Sequence, residues 1–158
     1  MDLFLKSLHL LFGALFLGNM IVSAVWKNLA DRSRQPQVLL FSARLVLLTD
    51  WIFIAACGLG LVTTGLVRAM GFFPTGGFLK QPWIHIPLGF FVVSGLIWAL
   101  ALLPIEIQQR KLAEEAVQTG TIPAVYDRLS LRWNLLGALA TLFILATLFV
   151  MVFKPLPS

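Results

Sequence analysis

Cysteine and histidine are nearly missing from this chain, and so is charge. Of its 158 residues, only Cys57 is a cysteine and only His9 and His85 are histidines. A lone cysteine excludes an internal disulfide, and so few thiol and imidazole groups fall short of a zinc site. Charged residues make up 12% of the chain against 59% hydrophobic, far from the balance of a soluble domain. No Lys/Arg-rich run and no nucleic-acid motif accompany the net charge of +5, so nucleic acid is not the expected partner. No serine or cysteine is spaced to pair a nucleophile with an oriented base, which removes hydrolytic catalysis. Met20, Met70 and Met151 are scattered away from the histidines, which argues against copper handling.

What the chain does have is long apolar runs, reflected in a mean hydropathy of +0.90. Four of them supply roughly 20 mainly apolar residues each, enough to cross a hydrocarbon core about 30 Å thick. They run over about Leu3–Trp26, Leu45–Arg68, Trp83–Leu103 and Trp133–Phe153. Since backbone polar groups in lipid must be satisfied within the segment, the expected fold is all-α, a four-transmembrane-helix bundle forming a single integral membrane domain over residues 1–158. The first run is too long and too uniformly apolar for a signal peptide and is expected to be retained. The segment Val38–Phe41 is positioned to start the second helix early, and Ile105–Gln118 to carry the third helix past the bilayer until Thr119-Gly120. A further short helix is expected from Pro123, and the loop Gly71–Pro82 is a candidate cap over a cavity between helices one and three.

The lipid bilayer is therefore the first partner, and basic residues in the connections set the orientation. Lys27, Arg32, Arg34 and Arg44 follow the first run and Arg110, Lys111, Arg128 and Arg132 lie in the third connection, whereas Lys6, Arg68, Lys80 and Lys154 lie on the other side. We read both termini as outside, in a bacterial inner membrane. A homo-oligomer is compatible with this reading.

An imidazole inside a membrane-length helix is costly unless it has a use. His9 is followed four residues on by Gly13, and His85 by Gly89, so each has a flat gap on its own helix face. One histidine from each of two helices at similar depth is the arrangement for the axial ligands of a b-type haem. His9 and His85 are the expected iron ligands, with Lys6 and Lys80 placed for the propionates and Phe12, Phe16, Phe90 and Phe91 as an aromatic wall. A second polar set, Asp50, Arg132, Asn134 and Arg44, lies toward the opposite face, and Asn19 and Ser23 approach it at the end of the first helix. Asp50 is expected to pair with Arg132 or Arg44 and pin the helices, or to serve as a proton path or quinone headgroup site.

Two resemblances are carried by these residues. Leu5-Lys6-Ser7-Leu8-His9 with Gly13, Trp83-Ile84-His85-Ile86-Pro87-Leu88, and Arg132-Trp133-Asn134 with Lys154-Pro155 resemble HemJ-type membrane protoporphyrinogen oxidase, and the resemblance implies haem ligation by His9 and His85. The oxidase pattern carries a lysine where this chain has Pro87 and a glutamate where it has Leu135, so porphyrinogen oxidation is expected to fail. Gly18 through Trp26-Lys27, Ala30-Asp31-Arg32 and Thr49-Asp50-Trp51 are similar to an uncharacterised bacterial family of integral membrane proteins. The expected function is a haem b protein in electron transfer or a haem-linked membrane oxidoreductase, with a quinone or membrane redox partner. The alternatives are a HemJ-like oxidase and a non-redox accessory subunit.

Overall fold

A computed structural model describes residues 2–73 and 77–153, and every regular element among them is helical. Four helices are long and apolar enough to cross a membrane: α1 (Asp2–Ser33), α2 (Pro36–Phe72), α3 (Pro82–Thr119) and α4 (Ala124–Phe153). The chain is an all-α, four-helix integral membrane protein. The part of the loop at 74–76 and the tail from 154, including Lys154 and Pro155, lie outside the described residues.

Local sequence punctuates these helices. Pro36 and Pro82 sit in the first turns of α2 and α3, where a missing N–H costs nothing. Gly120 closes α3 in the left-handed conformation at φ 73°, its N–H donating to the Ala116 carbonyl at 2.9 Å, a common C-terminal cap. Every helix overruns the apolar span that marks it in the sequence. The extensions survive because they pack on one another: Leu39 of α2, Ala113 of α3 and Tyr126 of α4 form a buried cluster beyond the most apolar stretches. Residues 124–132 are therefore the first turns of α4 rather than a separate short helix.

Two stretches widen from α-helical to π-helical turns, Asp50–Ala56 in α2 and Trp98–Leu102 in α3. The second has a local cause. Pro104 cannot donate to the carbonyl four residues back and its ring crowds that carbonyl, and Leu103 N–H reaches back to Trp98 instead. The first contains neither proline nor glycine; at its start Asp50 Oδ2 accepts from Trp98 Nε1 at 2.9 Å, a bond that joins the two wide turns across the bundle.

The helices meet closely at one end and part at the other. Near the 33–36 and 119–124 connections, Val46, Leu102, Trp133 and Ala140 are buried together, with Met20 and Ala24 of α1 against them. Toward the other end α1 packs on residues 57–72 of α2, and residues 82–97 of α3 pack on α4. Among the described residues, no Cα of 57–72 or of α1 comes within 8 Å of one in 82–97. The two helix pairs are bridged by side chains, including the Phe16 and Phe91 rings with centroids 5.5 Å apart. Phe78, in the loop, packs with Ala69 and Ile84 and ties α2 to α3 at this end.

Close approach within the α1–α2 pair depends on Gly60, where an added Cβ would lie 2.6 Å from the Phe12 ring. Gly60→Ala is expected to cost about 1–3 kcal/mol through overpacking, read as a lower unfolding midpoint in detergent. Gly18→Ala, where a Cβ meets nothing within 4 Å, should leave the midpoint in place.

Candidate functional site

The parting of the two helix pairs leaves a cleft of about 840 Å³ in the middle of the bundle. Its body is apolar, with Phe16, Ile54, Phe91 and Leu145 among the walls, and small residues such as Gly58, Gly95 and Gly137 keep it open. An added Cβ at Gly95 or Gly137 would meet nothing within 4 Å. Ile21, Val25, Leu59 and Leu142 line the cleft and are also exposed on the outer surface, so the cleft opens sideways toward lipid.

Its inner end is polar. Asp50 and Glu106 reach it from α2 and α3, both buried, with Trp98, Trp133 and Asn134 beside them. Asp50 Oδ1 accepts from Asn19 Nδ2 at 3.0 Å and Oδ2 from Trp98 Nε1 at 2.9 Å. Glu106 Oε1 accepts from Trp133 Nε1 at 2.9 Å, and Oε2 is buried with no donor. Both carboxyl groups border the same cleft. Donors claim three of their four oxygens, and a charge on a buried oxygen left without a donor is costly, which places a proton on Glu106 Oε2.

A network extends from this pair toward the 33–36 and 119–124 face. Lys27 is 2% exposed; its Nζ donates to Asp31 Oδ2 at 2.8 Å and to Ser130 Oγ at 3.4 Å. It lies over the Tyr126 and Trp133 rings at 5.5 and 5.2 Å, placements that favour a cation. Tyr126 Oη donates to Asp31 Oδ1 at 2.9 Å. With its amide oriented to satisfy its neighbours, Gln109 accepts from Lys27 Nζ at 3.3 Å and from Ser130 Oγ at 2.8 Å.

Among the described residues, Asp50 therefore bonds Asn19 and Trp98, not an arginine. Arg44 is exposed and bonds Glu114 at 3.2 Å, and Arg132 is exposed on α4. Both guanidiniums reach water or headgroups from the outer surface, which spares them desolvation. Asn134 is turned inward and exchanges hydrogen bonds with Asn28 at 2.8 and 3.1 Å. Glu106, Lys27 and Gln109 escape a sequence reading because they stand among ordinary surface-type residues in connections. A signal was available: Glu106 falls three residues, under one α-helical turn, beyond the apolar run, on the side that buries Leu102, Gln109 and Ala113.

The histidines sit elsewhere, and neither lines the cleft. His9 is half-buried within the α1–α2 pair, its Nδ1 2.9 Å from Thr64 Oγ1. The Thr64 hydroxyl is committed to the Gly60 carbonyl at 2.6 Å, so Nδ1 carries the hydrogen and Nε2 keeps a free lone pair. The gap expected beside Gly13 is taken by Leu61, 3.7 Å from where a Cβ would lie. His85 and Gly89 are exposed on α3, as are Lys6 and Lys80 at their ends of the fold. Pro87 is buried, its carbonyl accepting from Thr147 at 3.2 Å, and Leu135 is 64% exposed. Neither position presents a polar side chain to the cleft. Among the described residues no three His, Cys, Asp or Glu converge as a metal site.

Fold and site together define a multi-pass integral membrane protein with a lipid-open interhelical cleft ended by a carboxyl pair. The chain belongs to the family described as predicted integral membrane protein (DUF2269), matched over residues 3–155. No curated protein and no solved structure gave a match.

Glu106→Gln keeps N–H donors where the protonated oxygen stands and an acceptor for Trp133, and is expected to unfold within about 1 kcal/mol of the parent. Trp133→Phe, which strips the only donor from Glu106 Oε1, should cost about 1–3 kcal/mol. Denaturant unfolding in detergent checks the order of the two, and the reverse order would contradict the proton assignment.

Proposed function

We propose that this protein binds a lipid-soluble molecule with a hydrogen-bonding head, taken from the bilayer, and that Asp50 and Glu106 hold that head and exchange a proton with it. One observation carries the reading: the carboxyl pair closes the inner end of a cleft that is otherwise apolar and open toward lipid. Binding sites of this kind are largely apolar, with a few convergent polar groups that fix orientation, and have volumes of about 300–1,000 Å³. Ionisable residues kept inside a membrane bundle commonly serve substrates or protons.

A quinone is the ligand class that fits best, since it joins an apolar ring to two oxygens that accept hydrogen bonds. Its reduction to the quinol takes two electrons and two protons. Glu106 supplies a proton by breaking its O–H bond, further protons reach it from water, and the electrons come from a membrane redox partner. We assign this role to a bacterial inner membrane with both termini outside, following the basic residues of the connections.

Haem b ligation by His9 and His85 is a second reading, favoured by the free Nε2 and hydroxyl-oriented Nδ1 of His9, the arrangement that presents an imidazole to a metal. The residues fit this group only at His9. His85 is exposed, and its segment stands away from α1. A HemJ-like oxidase finds no polar group at Pro87 or turned inward at Leu135, and a non-redox accessory role makes no use of the carboxyl pair.

A short-chain benzoquinone added to the purified protein is expected to quench Trp98 and Trp133 fluorescence saturably. Gly137→Leu, which fills the cleft where space exists, should weaken this by at least about tenfold in Kd, equivalent to 1.4 kcal/mol; unsaturable quenching that is the same in both proteins would sink the reading. The haem alternative is checked by absorption after expression with haem supplied. We expect no histidine-dependent Soret band, and one lost in both His9→Ala and His85→Ala would establish the second reading instead.

A further inference from the structure

Lys27 is a buried cation that ligand binding leaves without a task. Its ammonium lies 5.2 Å over the ring of Trp133, whose Nε1 donates to Glu106 on one side, and it bonds Asp31 on the other. The Asp31 side chain is 17% exposed and lies two residues before the end of α1, near the Arg34–Asp127 ion pair at the surface. Side-chain hydrogen bonds thus lead from Lys27 through Asp31 toward that surface. In the other direction Phe16, Ile54, Cys57 and Ile144 form a buried apolar cluster, with Phe12, Leu61 and Phe91 packed against it.

We propose that Lys27 and Asp31 form a one-sided proton route between Glu106 and the face carrying the 33–36 and 119–124 connections. The route rests on the reading of Asp50 and Glu106 as a proton-holding pair. When the Glu106 O–H bond breaks, the proton passes by the Lys27–Ser130 junction to the Asp31 carboxylate and on to water, and the new carboxylate stays beside the Lys27 ammonium. Reloading runs the same steps backwards. The charged and titratable groups around this path are Lys27 and Asp31 of α1, Asp50 of α2, Glu106 of α3 and Tyr126 of α4. Lys27 is a positioning residue, since it supplies a fixed countercharge and touches no ligand.

Hydrogen–deuterium exchange of the protonated carboxyl band, followed by infrared spectroscopy after mixing the detergent-solubilised full chain into heavy water, tests this. The band should vanish in Glu106→Gln. Its exchange should slow by at least about tenfold in Lys27→Met, where a buried carboxylate would lose its countercharge, and recover in Lys27→Arg. Asp31→Asn, a near-isosteric change, should slow it too, whereas Thr147→Val, at the opposite end, should not. A band present in the parent and absent in Glu106→Gln, but exchanging at the parent rate in both Lys27→Met and Asp31→Asn, would overturn the route and leave the pair intact. A band unaffected by Glu106→Gln would instead overturn the pair itself.

Discussion

The bond from Trp98 to Asp50 is the interaction on which the rest of the structure depends. It joins α2 and α3 at the depth where both helices widen, and it brings in a carboxylate that the bilayer would penalise if left bare. Once Asp50 is held, Asn19 docks α1 on it, and Glu106 borders the same cleft. Trp133 then secures Glu106 from α4. All four helices are fastened at one level by groups that each answer the polarity of another, a strong constraint in lipid, where apolar faces alone gain little by leaving acyl chains for each other.

Below that level the helices have no comparable reason to converge. They part as two pairs, and small residues keep the space between them from being filled by side chains. The cleft is thus the geometric consequence of a bundle pinned at one end, and its polar head and apolar body follow from the same arrangement. Proton-holding groups and a lipid-facing entrance are brought together without any residue having to serve both.

Much of this fold was legible in the sequence, because a run of some 20 apolar residues is a strong physical signal and proline and glycine mark helix ends plainly. The early start of α2 and the long α3 could likewise be read from the residues. The site was legible at Asp50, Asn134 and Asn19, which stand out against apolar surroundings. Asp50's bonds were not, since arginine is the obvious counterpart for an acid, and only the tertiary arrangement shows that Trp98 and Asn19 serve it while Arg44 and Arg132 stay at the surface. Glu106 and Lys27 resemble ordinary interfacial charges until the helices are seen to overrun their spans. The histidines drew notice by their scarcity, yet scarcity says nothing about which face of a helix turns where.

The wide turn in α2 has an effect on how that helix is shared. In an unbroken α-helix, Val46 and Thr64 would lie on one face, since their separation is five turns of about 3.6 residues. A π-turn takes up one residue more than an α-turn, and the stretch Asp50–Ala56 therefore rotates everything after it. That rotation lets a single rod offer Val46 to the four-helix junction and Thr64 to His9 of α1. A one-residue deletion inside the stretch would take out the residue that the wide turn absorbs, so that a plain α-helix would carry both halves on their present faces.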